Sequence, residues 1–195
     1  MKIILASNSP RRKEILSQLN LQFEVLPSAF EEKANEMEPQ TMAEHFAAMK
    51  ARDVYLRLKD SGQLKEDVYI LGADTIVYCN EVMGKPKNKE EAYSMLRRLS
   101  NREHKVISGL SIIQGSTGKT ITTHDTTLVW IRELSDNEIK SYIDSGEPAD
   151  KAGAYAIQGL AALFVEKIQG CYFNVVGLPV NKLYRIMKEY GVQLI

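Results

Sequence analysis

The sequence has few cysteines, no surplus of charge of either sign and no long apolar run. Its two cysteines, Cys79 and Cys171, lack a C-x-x-C spacing, so we expect neither a disulfide nor a zinc site. Basic and acidic residues each number 25, and aromatic residues are few, so a nucleic-acid partner is not expected. No apolar stretch reaches about 18 residues. We therefore expect no membrane association and a cytoplasmic location.

The remaining composition is that of an ordinary globular chain, with 44% hydrophobic and 26% charged residues over 195 positions. There is no internal repeat, low-complexity segment or linker. Strand and helix patterns alternate, with both crossover-type and hairpin connections, which predicts a single α/β domain with a mixed sheet over residues 1–195. We expect strands near residues 3–7, 22–26, 68–71, 76–78, 104–113, 120–131, 163–168 and 172–176, and helices that begin near Ser9, Thr41, Asn88, Ser135 and Pro179.

The stretch KIILASNSPRRKEIL at residues 2–16 predicts a buried strand, a tight polar turn and a helix. Ser9 suits the N-cap and Pro10 the first helical position. Arg11 and Arg12 then lie at the positive end of the helix dipole, where acidic residues are preferred. A bound anion would explain this, because backbone N–H groups, the hydroxyls of Ser7 and Ser9 and both guanidinium groups could converge on phosphate oxygens. Alternatively, the arginines point into solvent or pair with a remote carboxylate.

Asp74 lies within DVYILGADTIVYC, the most apolar stretch of the chain. Burial of an ionised carboxylate costs several kcal/mol without a partner. A metal ion, a lysine or a water to be deprotonated would each supply one, and a structural role with bonds from backbone N–H groups is the alternative. Gly72 and Ala73 are small, which would let a ligand approach the backbone. Asp74 is the strongest single functional candidate.

Three further segments offer charged or polar candidates. Lys50 interrupts an apolar helical face, so it either extends its ammonium group to solvent or meets an anion in a cleft. Glu31 and Glu32 follow a predicted strand closely enough for one of them to reach a metal ion. Lys85 is restrained by the following proline. The Gly- and Ala-rich segment 147–159, which contains Gln158, suits a substrate-lining loop.

The segments LASNSPRR, GADTIV, GKPKNKEEAYSMLRRLSNREHKVISGL, DKAGAYAIQG and NVVGLP together resemble the Maf family of nucleoside triphosphate pyrophosphatases, over nearly the whole chain. The resemblance implies a two-lobed fold related to the inosine-triphosphate pyrophosphatases, with a central cleft and frequently a homodimer. It also implies hydrolysis of a nucleoside triphosphate to the monophosphate and pyrophosphate with a divalent cation, Mg²⁺ in the first place and Mn²⁺ or Co²⁺ as alternatives. Nucleotide-pool cleansing and arrest of septum formation are the associated roles.

The charged and polar candidates described above match the family pattern. The resemblance implies that Ser7, Ser9, Arg11, Arg12, Lys50 and Lys85 bind the triphosphate. It assigns Glu32, rather than Glu31, and Asp74 to the metal, with Asp74 as general base.

The nucleotide preference follows from family marker positions. Arg11, Thr75 and Gln158 resemble the dTTP/UTP-preferring branch, and CTP or modified pyrimidine nucleotides would extend that preference. The branch that acts on 7-methyl-GTP typically carries a Glu in place of Gln158. A nucleotide-binding regulator of cell division without catalysis is the alternative of another class.

Overall fold

The structure, a computed structural model, describes residues 1–32, 36–64 and 67–195. Within these ranges the chain forms a mixed α/β fold, as expected. Its strands are β1 (Lys2–Leu5), β2 (Phe23–Val25), β3 (Val68–Tyr78), β4 (Val82–Met83), β5 (Arg102–Gln114), β6 (Thr120–Ile131) and β7 (Val165–Gln169). Its α-helices are α1 (Pro10–Gln18), α2 (Pro39–Asp60), α3 (Lys89–Leu99), α4 (Asp136–Asp144), α5 (Tyr172–Val176) and α6 (Val180–Glu189), and short 3₁₀ helices lie at Glu147–Asp150, Ala152–Ala154 and Gly159–Leu163.

The strands form one sheet in the order β2-β1-β3-β5-β6-β7, with β4 paired to β3. Strand β1 is parallel to both of its neighbours, with Leu5 opposite Val25 in β2 and Leu71 in β3. The β3–β4 and β6–β7 pairs are antiparallel. The mixture follows from the connections, since helices α1 and α2 lie between parallel strands whereas a short turn joins β3 to β4. In the described ranges, no helix is long and apolar enough to span a bilayer.

The described chain divides into two compact units. The first comprises Met1–Asp74, Ser108–Asp125 and Gly177–Ile195, and the second comprises Thr75–Ile107 and Thr126–Val176. Each unit has its own apolar core, one with Ile70 and Val54 at its centre and the other with Leu96 and Ile139. The assignment of residues 1–195 to a single domain stays a prediction.

Four of the five predicted helix starts are confirmed: α1 begins after Ser9, α3 after Asn88, α4 after Ser135 and α6 after Pro179. Asn88 and Ser135 cap α3 and α4 through their side chains, and Ser135 forms a full capping box with Glu138. The predicted cap at Thr41 is wrong, because α2 already begins at Pro39. A proline is favourable in a first turn, where no N–H is needed, and this moves the start of the helix toward the N-terminus.

Two strand predictions need correction. Strand β3 continues through the small residues after Leu71 instead of stopping there. The segment Tyr172–Val176 forms the short helix α5 rather than a strand, although its composition favours a strand. Its buried Asn174 donates hydrogen bonds to the carbonyl oxygen of Val106 (2.9 Å) and to Oγ1 of Thr127 (3.0 Å). These tertiary contacts outweigh the local preference.

Helix α2 packs with its backbone directly against two strands of the first unit. A Cβ atom at Gly72 in β3 would lie 2.1 Å from the carbonyl oxygen of Ala47, and one at Gly109 in β5 would lie 2.0 Å from that of Ala43. Ala43, Ala47 and Ala51 recur every four residues on α2, and all three are fully buried. The expectation that Gly72 leaves room for a ligand is therefore wrong, because the helix fills that space.

We predict that Gly109→Ala destabilises the protein by at least about 2 kcal/mol, since the helix backbone cannot yield as a side chain can. The change is measured as the shift in the urea midpoint by circular dichroism. Gly84→Ala is the matched control: its added Cβ has no atom within 4 Å, so its effect should stay below about 0.5 kcal/mol. Equal losses in both variants would contradict the proposed close approach of α2.

A buried histidine lies in the core of the second unit. His104 is 2% exposed, and its Nε2 lies 2.6 Å from Oη of Tyr155. Its Nδ1 has no hydrogen-bond partner among the described residues. Burial lowers the pKa of His104 to about 4, from 6.5 in an exposed side chain, and burial raises the pKa of Tyr155. The neutral imidazole is therefore the stable form in the folded protein.

The pKa of His104 makes stability depend on pH. As the pH falls from 6.5 to about 4, the unfolded chain binds a proton that the folded protein does not, so the free energy of unfolding decreases in this window. The full loss is about 3 kcal/mol, because one pKa unit corresponds to about 1.4 kcal/mol. Urea midpoints measured across this window should therefore fall less steeply for His104→Gln than for the wild type. Parallel curves would refute the buried neutral histidine.

Candidate active site

The parallel pairing of β1 with β3 determines where the N-terminal motif lies. Leu5 is opposite Leu71, and the N–H of Ala6 still donates to the carbonyl oxygen of Leu71 at 2.8 Å. The turn that leaves the end of β1 therefore begins beside the part of β3 that leads to Asp74. Both groups of sequence-predicted residues meet there because parallel strands present their carboxyl ends at one edge of a sheet.

Arg12 is held inside the first unit by its own hydrogen bonds. Its side chain is buried, its Nε donates to the carbonyl oxygen of Gly177 (2.8 Å), and its Nη1 donates to Oγ of Ser7 (2.9 Å). Burial lowers the pKa of Arg12, while the negative charges of Asp74 and Glu32 raise it. An arginine keeps its charge in proteins, so this guanidinium is a fixed cation near two carboxylates. The alternative in which Arg12 points into solvent is wrong.

The start of α1 is shaped as an anion site would be. Ser9 occupies the N-cap position, but its side chain makes no capping hydrogen bond. Instead, the N–H of Ser9 donates to Oγ of Ser7 at 3.2 Å. The first turn carries no acidic side chain, and Arg11 in it is half-buried. A helix N-terminus with uncapped N–H groups and cations around it favours a phosphate oxygen.

Lys50 connects two carboxylates in the first unit. Its Nζ lies 2.6 Å from Oδ1 of Asp74 and 2.5 Å from Oε1 of Glu32. The side chain of Lys50 is 13% exposed, so it does not extend to solvent. Of the explanations for a buried Asp74, a lysine partner is the one that the structure contains. The packing of α2 explains the position of Lys50. Ala47 and Ala51 contact the strand at Gly72, and Asp74 projects from the same face of β3 as Gly72, so Lys50 on this part of α2 lies next to Asp74.

The surroundings of Asp74 make its carboxylate more basic than usual. Burial raises the pKa of Asp74, the positive charges of Lys50 and Arg12 lower it, and the negative charge of Glu32 raises it. The net direction is upward. A carboxylate with a raised pKa, placed beside cations, can accept a proton from a water molecule more readily than an exposed aspartate can.

The carboxylates of Glu32 and Asp74 are the type and number of protein ligands that Mg²⁺ commonly binds. Mg²⁺ prefers oxygen ligands and is commonly held by one or two carboxylates together with substrate phosphates. Glu32 and Asp74 already share the charge of one ammonium group, so the space between them favours a cation. Residues 1–32, 36–64 and 67–195 contain no group of three or more His, Cys, Asp or Glu side chains able to hold a metal. Substrate phosphate oxygens and water molecules are common further ligands of Mg²⁺ and could complete the coordination.

The remaining sequence-predicted residues belong to the second unit. Thr75 follows Asp74 in β3 and, by the alternation of a strand, projects to the opposite face. Lys85 is exposed between β4 and α3. Gln158 is half-buried and immediately precedes the 3₁₀ helix Gly159–Leu163. Their roles in binding stay predictions, as do those of the residues in the first unit.

Sequence reasoning missed two groups around this site. The carbonyl oxygen of Gly177, which accepts from Arg12, carries no side-chain signal in a sequence. Asp53 accepts hydrogen bonds from Ser28 and from the N–H of Ala29, both at 2.9 Å. Its position three residues after Lys50 on one helix was a usable signal, because residues three or four apart share a helix face.

Several relatives match the chain over nearly their whole length. The chain is 49% identical over 197 residues to the dTTP/UTP pyrophosphatase of Thermoanaerobacter sp. (strain X514), with all of both chains covered. It is 49% identical to the dTTP/UTP pyrophosphatase of Caldanaerobacter subterraneus subsp. tengcongensis, over 99% of this chain and 91% of that protein. Identity to the dTTP/UTP pyrophosphatase of Alkaliphilus metalliredigens is 47%, over 100% and 99% of the two chains.

Among solved structures, the HAM1 protein of Coxiella burnetii matches with a TM-score of 0.54 at 14% identity, over 97% of this chain and 99% of that chain. This similarity supports the expected architecture alone. A family model described as Maf-like protein matches residues 2–190. The chain therefore belongs to the Maf family.

Proposed function

We propose that the protein is a nucleoside triphosphate pyrophosphatase that hydrolyses dTTP and UTP to the monophosphate and pyrophosphate. The observation that carries the proposal is the buried Asp74 carboxylate, shared with Glu32 through the ammonium group of Lys50 and close enough to Arg12 to affect its pKa. Simple anion binding gains little from buried acids near a phosphate. A metal-assisted hydrolase needs both signs of charge. The names of the full-length relatives support the same activity.

The cations have the role of binding the triphosphate. Arg11, Arg12, Lys50 and Lys85 would offset its negative charge, and Arg12 needs no reorganisation because Ser7 and Gly177 already fix its guanidinium. Additional hydrogen bonds would come from the hydroxyl groups of Ser7 and Ser9 and from the uncapped N-terminus of α1.

Glu32 and Asp74 are the residues that would hold a divalent cation, Mg²⁺ in the first place and Mn²⁺ or Co²⁺ as alternatives. When bound, such an ion withdraws electron density from phosphate oxygens and offsets charge that develops during hydrolysis. Lys50 is paired with the same two carboxylates, so a divalent cation bound to them would leave its ammonium group free to contact the phosphates.

Asp74 has the role of general base. Its raised pKa favours transfer of a proton from a water molecule to its carboxylate. The water oxygen forms a bond to the α-phosphorus, and the bond between that phosphorus and the oxygen bridging to the β-phosphorus breaks. Pyrophosphate leaves with the electron pair. Arg12 and Lys50 would stabilise the charge that accumulates on the oxygens of the phosphoryl groups.

Specificity for pyrimidine nucleotides rests on Thr75 and Gln158, together with Arg11. The amide of Gln158 can both donate and accept a hydrogen bond, as the edge of a thymine or uracil ring requires. CTP and modified pyrimidine nucleotides are secondary substrates in this proposal. A homodimer in the cytoplasm, with roles in nucleotide-pool cleansing and septum arrest, completes it by analogy with the family.

The proposal is tested by pyrophosphate release from dTTP, UTP, CTP, dATP, GTP and 7-methyl-GTP with Mg²⁺. We expect preferential turnover of dTTP and UTP, abolished by EDTA. Preferential turnover of 7-methyl-GTP would retain the reaction and overturn the role of Gln158. Nucleotide binding without any turnover would instead favour a regulator of cell division.

We predict that Asp74→Asn lowers kcat by at least ~100-fold, because the amide cannot accept the proton of the attacking water. The variant should fold, since an amide oxygen can still accept a hydrogen bond from Lys50. Asp67→Asn makes the same chemical change at an exposed position near the start of the same strand and should retain wild-type turnover. Near-wild-type kcat in Asp74→Asn would remove Asp74 from the reaction.

A further inference from the structure

Glu32 belongs to a segment of irregular backbone. The described residues 26–32 form neither helix nor strand, and the side chain of Glu32 is 49% exposed. A carboxylate at the end of such a segment would normally sample many positions. Nevertheless, it lies within hydrogen-bond distance of Lys50. Contacts elsewhere in the segment add to this ion pair in restricting where Glu32 can lie.

Several contacts to this segment come from one face of α2. Phe46, Lys50, Asp53 and Arg57 recur at intervals of four, three and four residues, which places them in a single stripe along the helix. We call these four residues the α2 stripe. Each of its members contacts a different part of the segment between Pro27 and Glu32.

The α2 stripe holds the segment at both ends and in the middle. Nη1 of Arg57 donates to the carbonyl oxygen of Pro27 at 2.9 Å. The ring of Phe30 packs against that of Phe46, with centroids 6.1 Å apart. The last contact is the ion pair between Lys50 and Glu32.

Asp53 makes the central contact of the series. One oxygen, Oδ2, accepts a hydrogen bond from the hydroxyl of Ser28 and another from the N–H of Ala29, both at 2.9 Å. The hydroxyl of Ser28 in turn accepts from the N–H of Phe30 at 3.0 Å. Arg57 lies 3.6 Å from the same oxygen of Asp53. A single carboxylate therefore fixes three consecutive residues that lead to Glu32.

We propose that Asp53 is a positioning residue for the carboxylate pair of Glu32 and Asp74. It acts by holding residues 28–30 on α2, the same helix that carries Lys50. The carboxylate of Glu32 then stays close enough to Asp74 for both to bind one divalent cation. This inference rests on the proposed function, in which that pair binds a divalent cation. Partners that orient ligands in this way typically contribute 10–100-fold to metal affinity, by the general behaviour of such residues.

The test compares Asp53→Ala with the wild type in two measurements. The first is the Mg²⁺ concentration that gives half-maximal turnover, together with KM for dTTP at saturating Mg²⁺. The second does not depend on turnover: Mn²⁺ is titrated into an equimolar mixture of protein and UTP with a methylene group between its α- and β-phosphorus atoms, and bound ion is followed by electron paramagnetic resonance.

We expect Asp53→Ala to weaken the binding of both ions by at least roughly tenfold, with a much smaller change in KM. Asp53→Asn keeps an oxygen that can accept the hydrogen bonds from Ser28 and Ala29, so it should retain most of the affinity for Mg²⁺ and Mn²⁺. Asp60→Ala removes an exposed carboxylate from the end of the same helix and should leave binding unchanged. Circular dichroism establishes that each variant is folded, and Ser28→Ala provides a milder perturbation if Asp53→Ala is not.

A double-mutant cycle separates this inference from the proposed function. If Asp53 acts through Glu32, Asp53→Ala should have little further effect on Mn²⁺ binding in a Glu32→Gln background. Independent, additive losses would overturn the positioning role, as would unchanged Mn²⁺ binding in folded Asp53→Ala when Glu32→Gln alone weakens it. If Glu32→Gln itself leaves Mn²⁺ binding unchanged, the assignment of Glu32 to the metal fails.

Discussion

Asp74 lies in an apolar strand, and its carboxylate is held there by the ammonium group of Lys50. The isolated charge would cost several kcal/mol to bury, and the pair recovers this only if its geometry is maintained. This geometry is supported by the close packing of α2 on β3, where the backbones of Ala47 and Gly72 meet without a side chain between them. The small residues and the ion pair are therefore parts of one arrangement.

Helix α2 has two faces with different tasks in the first unit. Its alanine face, with Ala43, Ala47 and Ala51, packs on the sheet and determines how far Lys50 can reach. The α2 stripe, by contrast, holds a segment of irregular structure and the carboxylate of Glu32 at its end. The carboxylate that we propose as a metal ligand is thereby tied to a rigid element, which is how precise sites are commonly built.

Fold similarity and sequence similarity lead to conclusions of different kinds. The HAM1 protein shares the architecture at 14% identity, and a shared architecture alone says nothing about chemistry. The relatives named dTTP/UTP pyrophosphatases, by contrast, are 47–49% identical to this chain over nearly its whole length. In the proposed function, the chemistry depends on Arg12, Lys50 and Asp74. The parallel register of β1 and β3 brings Arg12 close to Asp74.

Local sequence patterns were sufficient to predict the mixed α/β class, the caps at Asn88 and Ser135, and Arg12 and Asp74 as candidate site residues. A cap lies three residues from its partner, and a charge in an apolar run is visible in the run itself. Tertiary structure alone decided that Lys50 joins Asp74 to Glu32, that Gly72 faces a helix rather than a ligand, and that residues 172–176 form a helix. Each of these depends on residues distant in the chain, as when Asn174 bonds to Val106, and local patterns carry no information about such contacts.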